Sequence, residues 1–132
     1  MSSSGEISFA WGDGEHAFRL AIGGLRELQD KCNAGPGQIY TRLGDGTWRV
    51  DDIRETLRIG LIGGGMKPTD AHVLVTRYVD GRPLAENISP AMAVLGAALI
   101  GVPDDKVGET EAGMTQTEAD ASSSRPITPA AP

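Results

Sequence analysis

Ile59 to Met66 read I-G-L-I-G-G-G-M and follow directly on the helix-like stretch Asp51 to Arg58. How this join is read decides the fold. Ile53, Leu57 and Leu61 lie four residues apart, so they share one helical face. Gly63-Gly64-Gly65 then stops the helix. A phosphate-binding loop needs G-x-x-x-x-G-K-[ST] between a strand and a helix. Here a helix comes first, and Lys67 is followed by Pro68. The triple glycine therefore reads as a helix terminator whose missing side chains allow close packing. At the other end, Asp52 and Glu55 have the spacing of a capping box. Asp51 and Asp52 sit where a helix N-terminus favours acids. Adjacent helix residues do not face each other, so these two do not read as an acid/base pair.

On the N-terminal side, residues 6–11 read E-I-S-F-A-W, with Ile7, Phe9 and Trp11 alternating against Glu6, Ser8 and Ala10. That is the period of a half-buried strand. Gly12-Asp13-Gly14 is a turn signal, because glycine accepts positive φ. Residues 15–22 place His16, Phe18, Leu20 and Ile22 on one face, which predicts the return strand. A hairpin alone is marginal in water, so it must lie on helices. Leu25, Leu28 and Cys32 predict a helix over 24–33, ended by Ala34-Gly35-Pro36-Gly37. Ile39, Tyr40 and Leu43 predict a second over 38–43.

On the C-terminal side, Pro68-Thr69-Asp70 predicts a helix start with Thr69 as the cap and Val73, Leu74 and Tyr78 buried. Leu84, Ile88, Met92, Leu95 and Leu99 form a helical stripe over about 83–101. Ser89-Pro90 is a common cap and first-turn pair. The helix therefore either starts at Pro90 or passes through with a kink, and the unbroken phase of the stripe favours the second. From Pro103 the apolar pattern stops, and Ser, Thr, Pro and acids dominate. Such a segment buries too little apolar area to offset its ordering entropy. The expected architecture is α+β: one domain over 1–102, an N-terminal hairpin packed on about four or five short helices, and a disordered acidic tail over 103–132.

The chain has 132 residues, enough for one modest core. The net charge is -6, of which residues 103–132 carry -4. Nucleic-acid binding needs clustered Lys and Arg, so the composition argues against it. The longest apolar run, Ala91 to Val102, is about 12 residues, against about 20 for a membrane span. Cys32 is the single cysteine, so no intrachain disulfide forms, which fits a reducing cytoplasm. The N-terminus has neither the basic start nor the apolar run of a signal peptide.

Little in the chain carries chemistry. His16 and His72 sit in different elements with no neighbouring ligands, and a metal site needs three or four. Cys32 lacks a Cys-His signature and reads as a buried helix residue. Trp48 is a large aromatic near loops, where it either anchors a partner or packs between helices. The tail reads equally as a segment that folds on binding and as a solubilising extension.

The ordered set of features resembles the tail assembly family of gene transfer agents and related long-tailed phages. The resemblance covers residues 5–101. It rests on the hairpin from Gly5 to Ile22, on G-G-L-R-E-L at 23–28, on V-D-D-I-R-E-T-L-R-I-G-L-I-G-G-G at 50–65 and on L-G-A-A-L-I-G at 95–101. The acidic tail is not part of it. The resemblance implies no enzymatic activity and no cofactor, and it supplies no catalytic residues. It implies a chaperone that coats the tape-measure protein until tail-tube subunits polymerise round it, with the tape-measure protein and the tube subunit as partners. A structural role in the tail tube, with self-association, is the first alternative. An adaptor or regulatory domain that binds a host protein is the second. The expected location is the bacterial cytoplasm during particle assembly, or the virion tail. Candidate partner-binding residues are Trp48, Leu57, Leu61, Met92, Leu95 and Leu99, each with the core as its competing reading.

Overall fold

The structure, a computed structural model, describes residues 4–102. Strands β1 (Glu6–Trp11) and β2 (Gly14–Arg19) form an antiparallel hairpin in which Ile7 stands opposite Phe18 and Trp11 opposite Gly14. Gly12 takes φ 66° and Asp13 stays at negative φ, the pattern of a type II′ turn, which matches the twist of the strands. No side chain fits at Gly12 in any case. A Cβ there would stand 2.7 Å from Cδ2 of Tyr78. One face of the hairpin turns inward, with Phe9 stacked on Phe18 at 4.7 Å and Trp11 edge-on to Phe18 at 5.9 Å.

The return strand is shorter than the alternation predicts. It ends at Arg19, Leu20 is buried in the connection, and Ile22 opens helix α1 (Ile22–Cys32) with 66% of its surface exposed. Ala21, in extended conformation, turns the chain, and the period changes from two to 3.6 before Ile22 is reached. Helix α1 ends at Asn33 in the left-handed region, at φ 52°, a conformation that Asn tolerates as a helix cap. Helix α2 (Pro36–Asp45) places Pro36 in its first turn, where the missing N–H costs nothing.

Helix α3 (Val50–Gly63) is the centre of the fold and packs against β2, α1, α2 and the helices that follow it. Ile53, Leu57 and Leu61 are fully buried along it. Its N-terminal cap differs from the expected pair. Asp52 Oδ2 accepts the backbone N–H of Arg49 at 2.9 Å, while Glu55 turns to arginines instead. The triple glycine does allow close packing. A Cβ at Gly63 would collide with the carbonyl oxygen of Arg19, and one at Gly64 with that of Ala17.

Helix α4 (Pro68–Val75) starts with Lys67 at its cap position, and Thr69 lies inside the first turn with no capping bond. Ala71, Leu74 and Val75 face the core, while Val73 is half exposed. The helix then widens into a π turn, Thr76–Asp80, with the Gly81 N–H reaching the Thr76 carbonyl. A 3₁₀ turn (Leu84–Asn87) leads into helix α5 (Ile88–Leu99). The stripe over 83–101 is therefore not one helix passing through Pro90: it divides at Asn87 into a 3₁₀ turn and α5, which starts two residues before Pro90 and holds it in the first turn. There its missing N–H breaks no helical bond. Ala91, Val94, Leu95 and Ala97 are the buried residues of α5, so its inner face is rotated away from Leu99. The expectation of a loose acidic tail over 103–132 lies outside the described residues.

Candidate assembly surface

The six candidate partner residues separate by burial. Leu57, Leu61 and Leu95 are fully buried and form the core with Phe18, Leu28, Ile53 and Val94. That leaves them no surface to offer in this fold. Trp48 and Met92 are half-buried against the core, and Leu99 is 40% exposed. Ile100, beside Leu99, is 65% exposed, so the end of α5 is the apolar part of that helix that faces solvent.

A groove that sequence reasoning missed lies beside the hairpin turn. It is a shallow space of about 350 Å³ lined by Ala10, Trp11, Tyr78, Arg82, Asn87 and Pro90. Buried polar contacts fix its walls. The Trp11 indole N–H donates to Asn87 Oδ1 at 2.7 Å, and Asn87 Nδ2 donates to the Tyr78 carbonyl at 2.9 Å. The first of these bonds joins residues 76 apart in sequence, so no local pattern signals it. The π turn carries Tyr78 to 5.8 Å from the Trp11 ring, edge-on. Arg82 pairs with Glu86 at 2.7 Å on the exposed rim, and each raises or lowers the other's pKa toward its charged form. Aromatic rings, a proline and the edge of β1 suit an extended peptide segment.

A second cleft, between α1, α3 and α4, is charged. Arg58 bridges Glu27 at 3.2 Å and Glu55 at 2.6 Å, and Arg54 bridges Glu55 at 2.9 Å and Asp80 at 3.0 Å. Burial works to raise the Glu55 carboxyl, but the two guanidiniums outweigh it and hold it below the usual value. Within the cleft, Glu27, Arg54, Glu55 and Arg58 are therefore paired with one another or with Asp80. Deeper in, Arg42 forks onto Asp52 at 2.8 and 2.6 Å, with Asp52 fully buried, and ties α2 to α3.

His16 and Cys32 have structural partners. His16 lies 2.7 Å from Asp13 across the turn, and His72 lines the charged cleft. The Cys32 thiol donates to the Asp51 carbonyl at 3.3 Å, and burial, with Asp52 and Asp51 nearby, pushes its pKa up to about 12. Among the described residues, no three His, Cys, Asp or Glu side chains converge as a metal-binding group. No described helix is long and apolar enough to cross a membrane.

This hairpin on a small helical bundle is matched along its length by a known family. The family described as phage tail tube protein, GTA-gp10, matches residues 4–101. The chain belongs to that family. No curated protein and no solved structure matches it.

Proposed function

We propose that the chain is a non-enzymatic subunit of a phage-like tail tube, working by association with other copies of itself. The observation that carries this is the family match, which takes in the whole hairpin-and-helices fold from residue 4 to residue 101. The match reverses the order in which the sequence ranks the two phage-tail readings. The resemblance puts the assembly chaperone first, and the family's description as a tail tube protein supports the tube subunit instead. The groove and the open apolar end of α5 are surfaces that neighbouring copies could contact. The working location is the virion tail.

Purified particles test the reading. Mass spectrometry of finished tails should find this chain as an abundant component, in many copies per particle. Its absence from finished tails would overturn the tube subunit.

The chaperone remains as a second reading, favoured by Leu99 and Ile100, which present apolar surface at the end of α5. A protein that covers apolar stretches of a tape-measure protein needs such a surface. Recovery of a long helical partner from assembling cells, with this chain missing from finished tails, is the result that reading expects.

A further inference from the structure

The sequence contains three Asp–Gly steps, Asp13–Gly14, Asp45–Gly46 and Asp80–Gly81, and no Asn–Gly step. At such a step the glycine has no Cβ to hinder its own amide, so the backbone nitrogen can attack the aspartyl side chain. The glycine nitrogen bonds to Cγ of the aspartate. The amide proton and the carboxyl OH leave together as water, and a five-membered succinimide results. Water then adds to either ring carbonyl and reopens the ring, to aspartate or to isoaspartate. The neutral carboxyl is the reactive form, because a carboxylate has no OH to lose.

The fold ties down each of the three carboxylates, but not in the same way. Asp45 Oδ1 accepts from the backbone N–H of Thr47 at 3.0 Å and from the Thr47 hydroxyl. Asp80 accepts from Arg54 Nε, at 3.0 Å on one oxygen and 3.2 Å on the other. Thr47 always has these donors, and Arg54 keeps its charge. The amides of Gly46 and Gly81 close helix ends, donating at 3.1 Å to the carbonyls of Arg42 and Thr76. Asp13 differs. It is the second central residue of the hairpin turn, its side chain is 49% exposed, and its carboxylate is held by His16, with Nε2 2.7 Å from Oδ1. A carboxylate only accepts, so the ring nitrogen is the donor. The bond holds the Asp13 carboxyl below its usual value and so keeps little of it neutral. The ring itself stands edge-on to Trp11 at 6.5 Å.

We propose that Asp13–Gly14 is a site of spontaneous succinimide and isoaspartate formation, and that the His16 ring beside the Asp13 carboxylate holds the reaction back. The product changes the hairpin. Isoaspartate runs the main chain through Cβ and Cγ, which adds one carbon to a two-residue turn. Tyr78 packs against Gly12 so closely that a Cβ there would stand 2.7 Å from its ring, so the turn has no slack on that side. The Trp11–Gly14 pair then no longer closes the turn, and the hairpin opens from its tip. This inference does not rest on the tube-subunit reading.

The test is peptide mapping of the full chain after prolonged warm incubation at neutral pH. Succinimide is read as the loss of one water, and isoaspartate by enzymatic methylation. The variants are His16→Leu, His16→Gln and Gly14→Ala. His16→Leu removes the donor and keeps an apolar group against Trp11. It should form isoaspartate at position 13 severalfold faster than the wild type, with Asp45 and Asp80 unchanged. His16→Gln has an amide that also donates, and it should return the rate toward that of the wild type. A hairpin that was merely loosened would respond alike to both His16 variants. Gly14→Ala should suppress the reaction at Asp13, and a Cβ there meets nothing within 4 Å, so the fold accepts it. A His16→Leu rate equal to or below that of the wild type would overturn the role of the ring. Should that variant fail to fold, the wild type and Gly14→Ala still decide: a wild type that forms no more succinimide or isoaspartate at Asp13 than Gly14→Ala would overturn the site.

Discussion

The carbonyl oxygen of Arg19 occupies the space that a side chain at Gly63 would need. Gly64 stands in the same relation to Ala17. The end of α3 thus rests backbone to backbone on β2, and this contact joins the hairpin to the helices. Gly63→Ala and Gly64→Ala should each destabilise the fold by about 1–3 kcal/mol or more, as overpacked substitutions do. Gly23, in the first turn of α1, is the control, since a Cβ there meets nothing within 4 Å. Gly23→Ala should be neutral or stabilise by up to about 1 kcal/mol. Urea unfolding of the three variants measures the contrast.

The buried pair Arg42–Asp52 is held by two short hydrogen bonds, and Asp52 also caps α3. Arg42→Ala leaves a buried carboxylate without its counter-charge and should cost about 3–5 kcal/mol. Asp52→Ala removes the cap as well. The double variant should cost much less than the sum of the two, because neither charge is then left alone. A double-mutant cycle by chemical denaturation checks this.

Stability should fall with acid partly through Glu55. Its folded pKa lies below the ordinary value of 4.5. It therefore contributes stability that is fully present above 4.5 and is lost as pH falls through the lower folded value. Glu55→Gln should be less stable than wild type at neutral pH, and the gap should narrow below pH 4.5. Thermal melts across this range read the effect.

The Cys32 thiol should resist modification in the folded protein. With its pKa raised to about 12 and its side chain buried, almost no thiolate is present at pH 8. Labelling by a disulfide reagent should be slow in buffer and fast in denaturant. Rapid labelling of folded protein would show that the α1–α3 seam opens readily.

Trp11→Phe should keep the aromatic packing but leave Asn87 Oδ1 buried without its donor. The expected cost is about 1–3 kcal/mol, read as a lower melting temperature. A neutral result would mean that water reaches Asn87 through the groove.

Local chemistry made much of the fold legible. Alternation over Glu6–Trp11, the glycine at the turn and the four-residue steps of Ile53, Leu57 and Leu61 are set by backbone period alone, and each element formed where that period predicts it. The triple glycine also announced close packing, because only a missing Cβ permits it. What sequence could not supply was the identity of neighbours. Leu57, Leu61 and Leu99 look alike along the chain, yet the first two are core and the third faces solvent, since burial depends on which helix lies opposite. Asp52 found Arg42 and not Glu55 because α2 brings a guanidinium to it from ten residues away. The docking of α3 on β2 is likewise a tertiary outcome: the glycines permit close approach, and only the fold decides that the carbonyls of Arg19 and Ala17 fill the space beside Gly63 and Gly64.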